Sequence, residues 1–172
     1  RLQGRGPKAG KSSSQSLIIE HPDVRRSLLL QSGYVQAMRA LVTYTAWCMD
    51  MAHVSEGDER DRWQGLVELL TPISKAWCSD WGFRVTEWAL QVYGGYGYTM
   101  DYPAEQYLRD CKIASIYEGT NGIQALDLVG RKFRMQEGRP VKALLKQAAE
   151  AAQSLAGDPV LGPSAQLLAE AV

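Results

Sequence analysis

In the stretch DYPAEQYLRDCKIASIYEGTNGIQALDL one of the carboxylates, Glu118, sits between Tyr117 and Gly119, where the pattern passes from loop to helix. An acid just ahead of a helix interacts well with the helix N-terminus. Thr120 and Asn121 are both able to cap that helix instead, so capping does not require Glu118. Gly119 leaves one flank bare and Ile116 and Tyr117 are apolar or amphipathic, so the sequence places the acid in poorly hydrated surroundings. A carboxylate so placed has its ionised form destabilised, which moves it toward the range useful to a general base.

A second candidate is the glycine pair Gly94 and Gly95, which closes the helical pattern EWALQVYGG with no strand ahead of it. A dinucleotide site of the strand-loop-helix kind is therefore excluded. On spacing alone the pair is best read as a helix C-cap. Its functional reading is bare backbone brought close to a flat ligand. His21 and His53 lie far apart, beside a proline and at a helix end, and read as solvated structural groups. The five tryptophans fall at helical spacing and read as packing.

These residues must be positioned by helices. RLQGRGPKAGKSSSQS is polar, basic and rich in Gly and Ser, and reads as a flexible loop. From Pro22 to about Val54, the residues Val24, Leu28, Gln31, Val35, Met38, Val42, Thr45 and Met49 are spaced alternately four and three apart, the seam of a long bundle helix. The acidic SEGDERD reads as a turn into a second helix carrying Trp63, Leu66, Leu70, Ile73, Trp77, Trp81 and Val85, with Pro72 expected to kink it or mark a loop. YGGYGYTMDYP interleaves tyrosines with glycines and is not expected to be regular helix. Asp101 is placed to cap a short helix PAEQYLRDCK, and a further helix is expected from about Thr120 to Arg134, ended by Gly138 and Pro140. VKALLKQAAEAAQSLA and GPSAQLLAEAV read as two more helices. With no repeat and no strand pattern, the expected architecture is an all-α antiparallel helical bundle.

Lys plus Arg and Asp plus Glu both total 19, giving a formal charge of zero, so no net field draws the chain to nucleic acid or anionic lipid. Cys48, Cys78 and Cys111 are odd in number and form no CxxC pair, which argues against a disulfide framework or a zinc site and points to a reducing compartment, most simply the cytoplasm. The longest apolar runs fall short of a membrane span. The chain opens on Arg1 and reads like the middle of a longer protein.

The run QVYGGYGYTMDYPAEQYLRDCKIASIYEGTNGIQ resembles the C-terminal helical domain of flavin-dependent acyl-CoA dehydrogenases, whose pattern is Gln-Val-x-Gly-Gly-x-Gly-Tyr, Tyr-Pro, Arg-Asp-x-Lys-Ile and Ile-Tyr-Glu-Gly-Thr-Asn-x-Ile-Gln. RLQGR resembles the family's Arg-x-x-Phe-Gly-Arg segment, one residue shorter and lacking the Phe. IIEHPDVRR resembles a bacterial subgroup with extra C-terminal helices that includes 3-methylmercaptopropionyl-CoA dehydrogenase. The resemblance implies a helical bundle domain over residues 1–135, with 136–172 beginning a C-terminal extension, in an enzyme whose N-terminal helical and middle β-domains are not represented here.

The resemblance also implies roles. Glu118 is then the catalytic base that removes the α-proton of an acyl-CoA, while the β-carbon gives a hydride to N5 of FAD and a trans-2-enoyl-CoA results. The backbone N-H of Glu118 and a flavin ribityl hydroxyl hold the thioester oxygen. Gly119 and Tyr117 bind substrate, the first by close approach and the second as pocket wall. Thr120 contacts the flavin; Gln91, Val92, Tyr93, Gly94 and Gly95 reach the flavin of a neighbouring subunit; and Arg1 meets its pyrophosphate. A shared site implies a homodimer or homotetramer, with an electron-transfer flavoprotein as electron acceptor. Gly122 stands where the family usually has Glu or Gln, and Ala125 where it often has Arg. Two other readings stand beside this one: a catalytically silent helical oligomerisation module, and an acyl-CoA oxidase.

Overall fold

Pro22 opens the first long helix because its ring presets φ and its missing N-H would have found no helical partner there. In this computed structural model, which describes residues 1–6 and 14–172, the helices are α1 Pro22–Val54, α2 Gly57–Tyr93, α3 Gly95–Tyr98, α4 Ala104–Ile113, α5 Asn121–Gly130, α6 Arg139–Leu155 and α7 Gly162–Ala171. Short 3-10 turns lie at Ile18–Glu20 and Lys132–Gly138. Among the described residues there is no strand, so the fold is all-α, as its periodicity predicts. The loop expected over residues 1–16 falls partly on 7–13, outside the described residues. Its flanks pair across an isolated antiparallel bridge, Leu2 to Leu17, with the Gln3 N-H donating to the Ser16 carbonyl at 2.9 Å.

The chain forms two compact units, Arg1–Val42 with Lys75–Asn121, and Thr43–Ser74 with Gly122–Val172. In the first, Tyr34 of α1 stacks on Trp81 of α2 with centroids 3.8 Å apart, and Trp77 and Trp88 tilt against the same ring. The tryptophans of this unit are packing residues, as their spacing suggests.

In the second unit, Leu66, Leu69 and Cys48 are fully buried, and Trp47 meets Trp63 edge to face at 4.8 Å. The hydroxyl of Tyr44 donates to Gln147, tying α1 to α6. The first turn of α6 lies directly on α2, where a Cβ at Gly65 would sit 2.8 Å from the Pro140 ring. Only glycine permits that approach.

Several sequence expectations are corrected. The α1 seam holds to Met38, but Val42 and Met49 are 51% and 57% exposed, and Cys48 and Ala52 are buried instead. A 3.5-residue seam drifts around a helix that turns every 3.6 residues. SEGDERD is mostly helix, because Asp58 and Glu59 occupy the first turn of α2, where carboxylates complement the dipole. The helix continues through a buried Pro72. YGGYGY contains one helical turn, α3. Asp101 caps nothing: Pro103 holds the N-cap position of α4, with no side-chain cap bond.

The helix expected to Arg134 ends at Gly130, and Gly138 and Pro140 begin α6 rather than end its predecessor. Glycine is a poor helix interior residue, and just beyond it Lys132 turns inward, 8% exposed, to pair with Glu68 at 3.0 Å. That bond holds the Glu68 carboxyl below the usual carboxylate range. An acid with a depressed folded-state pKa binds fewer protons folded than unfolded, so its contribution is full above the ordinary carboxylate range and fades as pH falls. Because the Glu68 side chain is 39% exposed, solvent screening limits the pair to about 1 kcal/mol. Glu68→Gln is expected to cost about that much near neutral pH and much less near pH 3, read from urea midpoints at the two pH values.

Candidate active site

Between α4 and α5 the chain turns through a small closed loop. The Ile116 and Tyr117 N-H groups donate to the Ile113 carbonyl, and the Asn121 N-H reaches the Ser115 carbonyl at 3.2 Å, closing the neck. Inside that neck, Glu118 has φ +51° and Gly119 φ +80°. For glycine this costs little, but a residue with a Cβ is strained there by about 1–2 kcal/mol.

The loop is staked to α2 by charge-assisted bonds. The Lys75 ammonium donates to the Gly119 carbonyl at 2.7 Å and to Asn121 Oδ1 at 2.8 Å. Asn121 Nδ2 faces the Asp80 carboxylate at 2.7 Å, the Ser79 hydroxyl at 2.9 Å and the Ala76 carbonyl at 3.2 Å. The amide orientation follows from its partners, since an ammonium only donates and a carboxylate only accepts. Bonds to a charged donor are worth about 1.5–3 kcal/mol each, enough to offset the strain at Glu118.

Asn121 is thus the first residue of α5, but its carboxamide is spent on α2. The capping role weighed for it is not the one it has. Nor do sequence neighbours enclose Glu118: Ile116 and Tyr117 are each 53% exposed, and Glu118 is itself exposed. The expectation of poor hydration fails within this chain because the loop turns its apolar side chains outward along with the acid. Tyr117, Glu118, Gly119 and Thr120 do form one continuous outward-facing turn.

The second group gathers at the end of α2. Gly94 follows the last helical residue with φ +66° and ψ −146°, a conformation essentially reserved to glycine, and its N-H bonds to the Leu90 and Gln91 carbonyls. This is the C-cap the sequence favours. Arg1 completes it, donating from Nη1 to the Tyr93 carbonyl at 2.8 Å and from Nη2 to the Val92 carbonyl at 3.4 Å. A Cβ on residue 94 would meet the Arg1 guanidinium at 2.7 Å, whereas one on Gly95 would meet nothing within 4 Å. Arg1, Val92, Tyr93, Tyr96 and Tyr102 line a cavity of about 330 Å³, and Gln91 lines an adjoining one of about 340 Å³ with Arg1 and Val92. The structure therefore brings together Arg1, Gln91, Val92, Tyr93 and Gly94 as one group, with Gly95 starting α3 beside it.

Sequence reasoning missed Lys75, Ser79 and Asp80. A usable signal is present, because Lys75 and Ser79 stand four apart on one face of α2, in the stretch that carries Trp77 and Trp81. It also missed Tyr96 and Tyr102: the exposed Tyr102 ring meets both Tyr93 and Tyr96. Among the described residues no cluster of His, Cys, Asp and Glu is arranged to hold a metal ion, and no helix is long and apolar enough to cross a membrane.

Comparison with known proteins bears on this geometry. The family model for the acyl-CoA dehydrogenase C-terminal domain matches residues 10–133. Butyryl-CoA dehydrogenase of Syntrophomonas wolfei is 39% identical over 152 residues, 87% of this chain and 25% of the relative. The broad-specificity linear acyl-CoA dehydrogenase of Mycobacterium tuberculosis is 38% identical over 164 residues, 94% of this chain and 27% of its own. 3-Methylmercaptopropionyl-CoA dehydrogenase of Ruegeria pomeroyi is 36% identical over 172 residues, 99% of this chain and 29% of the relative. This chain thus spans between a quarter and a third of each of these three. A solved structure described as Bd2924 apo-form shares the fold, with a TM-score of 0.71 at 22% identity over 93% of this chain and 32% of that one.

Gly94→Ala is expected to destabilise the protein by about 1–3 kcal/mol and to displace Arg1. Gly95→Ala should stay within about 0.5 kcal/mol. Chemical denaturation of the two variants side by side checks the contrast.

Proposed function

Because this chain belongs to the acyl-CoA dehydrogenase family and carries its C-terminal domain, we propose that it is the C-terminal part of an FAD-dependent enzyme that converts an acyl-CoA to its trans-2-enoyl-CoA. The observation that carries the reading is Glu118: a carboxylate kept at φ +51° in a staked turn, at the place where the sequence reads Ile-Tyr-Glu-Gly-Thr-Asn. Backbone strain kept at a residue with a Cβ is a feature that clusters at functional sites, which supports the reading.

In this reading the Glu118 carboxylate takes the α-proton of the thioester, and the Glu118 backbone N-H donates to the thioester oxygen as negative charge develops there. Gly119 lets the substrate lie against the main chain, Tyr117 forms part of the wall around the thioester, and Thr120 orients the flavin from this side. FAD, when bound, supplies the two-electron acceptor for the hydride leaving the β-carbon. The exposed turn takes its cover from other parts of the enzyme, which exclude water from the acid.

The end of α2 fits a portion of that cofactor. A guanidinium and three tyrosine rings around a cavity of about 330 Å³ suit the phosphate and the flat heterocycle of a dinucleotide. Arg1, Gln91, Val92, Tyr93, Gly94 and Gly95 are proposed to meet the FAD of a neighbouring subunit, which makes the enzyme a homodimer or homotetramer. An electron-transfer flavoprotein is the electron acceptor in this reading. Three unpaired cysteines suit a reducing compartment, and the cytoplasm is proposed as its location. Residues 1–135 are proposed as the family's bundle and 136–172 as the start of an extension. That division is supported by similarity that continues past residue 133 in the relative matched over 172 residues.

In the complete enzyme, Glu118→Gln is expected to lower kcat for acyl-CoA oxidation at least about 100-fold while FAD stays bound, measured with a dye acceptor and by flavin absorbance. A variant that turns over at the wild-type rate would remove Glu118 from the reaction.

A further inference from the structure

Lys75 lies on α2, 43 positions before Glu118 in sequence, yet its ammonium reaches the carbonyl of the very next residue, Gly119, at 2.7 Å. The same nitrogen holds Asn121 Oδ1 at 2.8 Å, at the residue whose N-H closes the loop on Ser115. One charged group therefore fixes both the middle and the end of the turn. Its other neighbours complete the frame: Asn121 Nδ2 faces Ser79 and Asp80, one turn further along α2. From this geometry we infer that Lys75 is the positioning residue for Glu118, acting through the Gly119 carbonyl to hold the left-handed pair at 118 and 119. The inference rests on the proposed role of Glu118 as base.

Residue 118 carries a Cβ in a conformation that L-residues avoid, so a turn free to relax would move it to negative φ and swing the carboxylate and the preceding N-H together. Both are the groups the reaction needs held in place. The neck bond alone fixes where the loop starts and ends, not the rotation of the peptide that follows Gly119. Lys75 is the described partner of that carbonyl. Methionine at 75 offers no donor, and glutamine is one bond shorter and lacks the charge that strengthens both bonds, while misplacement of a base by about 1 Å can cost on the order of 100-fold in rate.

The test uses the complete, FAD-loaded enzyme with Lys75→Met, Lys75→Gln, Lys75→Arg and Glu118→Gln made in parallel. The substrate is whichever straight-chain acyl-CoA the wild type turns over best, used with and without deuterium at C2. Lys75→Met and Lys75→Gln are expected to lose between about 10- and 100-fold in kcat with little change in KM, and to show a larger C2 deuterium isotope effect than wild type, as α-proton removal becomes limiting. Lys75→Arg, which keeps a cation with several N-H donors, should recover much of the loss. If Lys75→Met does not fold or load FAD, Lys75→Gln decides.

Wild-type kcat and isotope effect in either neutral variant overturn the inference. So does a loss shared equally by Gln and Arg that follows FAD content and melting temperature with the isotope effect unmoved, since that marks a merely structural lysine. The outcomes separate from those of the underlying reading: an active Glu118→Gln enzyme removes the base itself, whereas an inactive Glu118→Gln enzyme beside fully active Lys75 variants removes only the role of Lys75.

Discussion

The bond from the Lys75 ammonium to the Gly119 carbonyl is the constraint on which the candidate site turns. It joins a rigid element, the second half of α2, to a loop whose own backbone preferences oppose its shape. Two consecutive positive φ values, one of them at a glutamate, make a turn that local sequence alone would not select. A long helix braced by stacked Tyr34 and Trp81 gives the ammonium a fixed base. Packing energy in the aromatic core of this unit is thereby converted into positional accuracy at a surface loop. The sequence chooses lysine here because a reach across two elements to a carbonyl and an amide oxygen needs a flexible stem ending in a compact, donating charge.

The surface around the loop is rich in exposed apolar side chains. Tyr98 and Met100 are 81% and 91% exposed, Tyr96 and Tyr107 about 60%, and Ile113, Ile116 and Tyr117 more than half. Single exposed apolar side chains are ordinary, but these follow one another along α3, α4 and the loop that holds Glu118. Such a face suits a domain that shares its site with other domains and other subunits. In the proposed reading this chain supplies the acid, its backbone geometry and its brace, and enclosure comes from whatever covers the aromatic face.

The helices were legible because they are long and their apolar residues keep a 3.5-to-3.6-residue spacing over several turns; α1, α6 and α7 begin and end within a few residues of where pattern and proline place them. What the pattern missed was decided by distant partners. Just beyond the end of α5 at Gly130, Lys132 pairs with Glu68, which is 64 residues away and cannot be seen in a local window. Asp101 reads as a cap by type, yet Pro103 takes the N-cap position. At the candidate site, residue types and spacing singled out Glu118 and the glycine pair, and the structure places Glu118 and Gly94 at positive φ. Type and spacing misjudged the hydration of the acid, because a closed turn can present several apolar side chains outward at once. Lys75 stayed hidden for the reason Lys132 did: a long polar side chain on a helix reads as solvated until its partner is known.

The choice of residue at position 118 carries the functional argument furthest. Glycine would remove the strain at φ +51° and stabilise the turn by about 1 kcal/mol, and asparagine would tolerate it better than glutamate does. The following position has taken glycine, so the loop uses that solution where it can. Glutamate at this position fits the proposed role of a base, and the Lys75 ammonium holds the carbonyl of the residue that follows it. Proton removal next to a thioester requires a base whose position is set before the substrate arrives, and stored backbone strain held by a charged brace is a way for a short loop to meet that requirement.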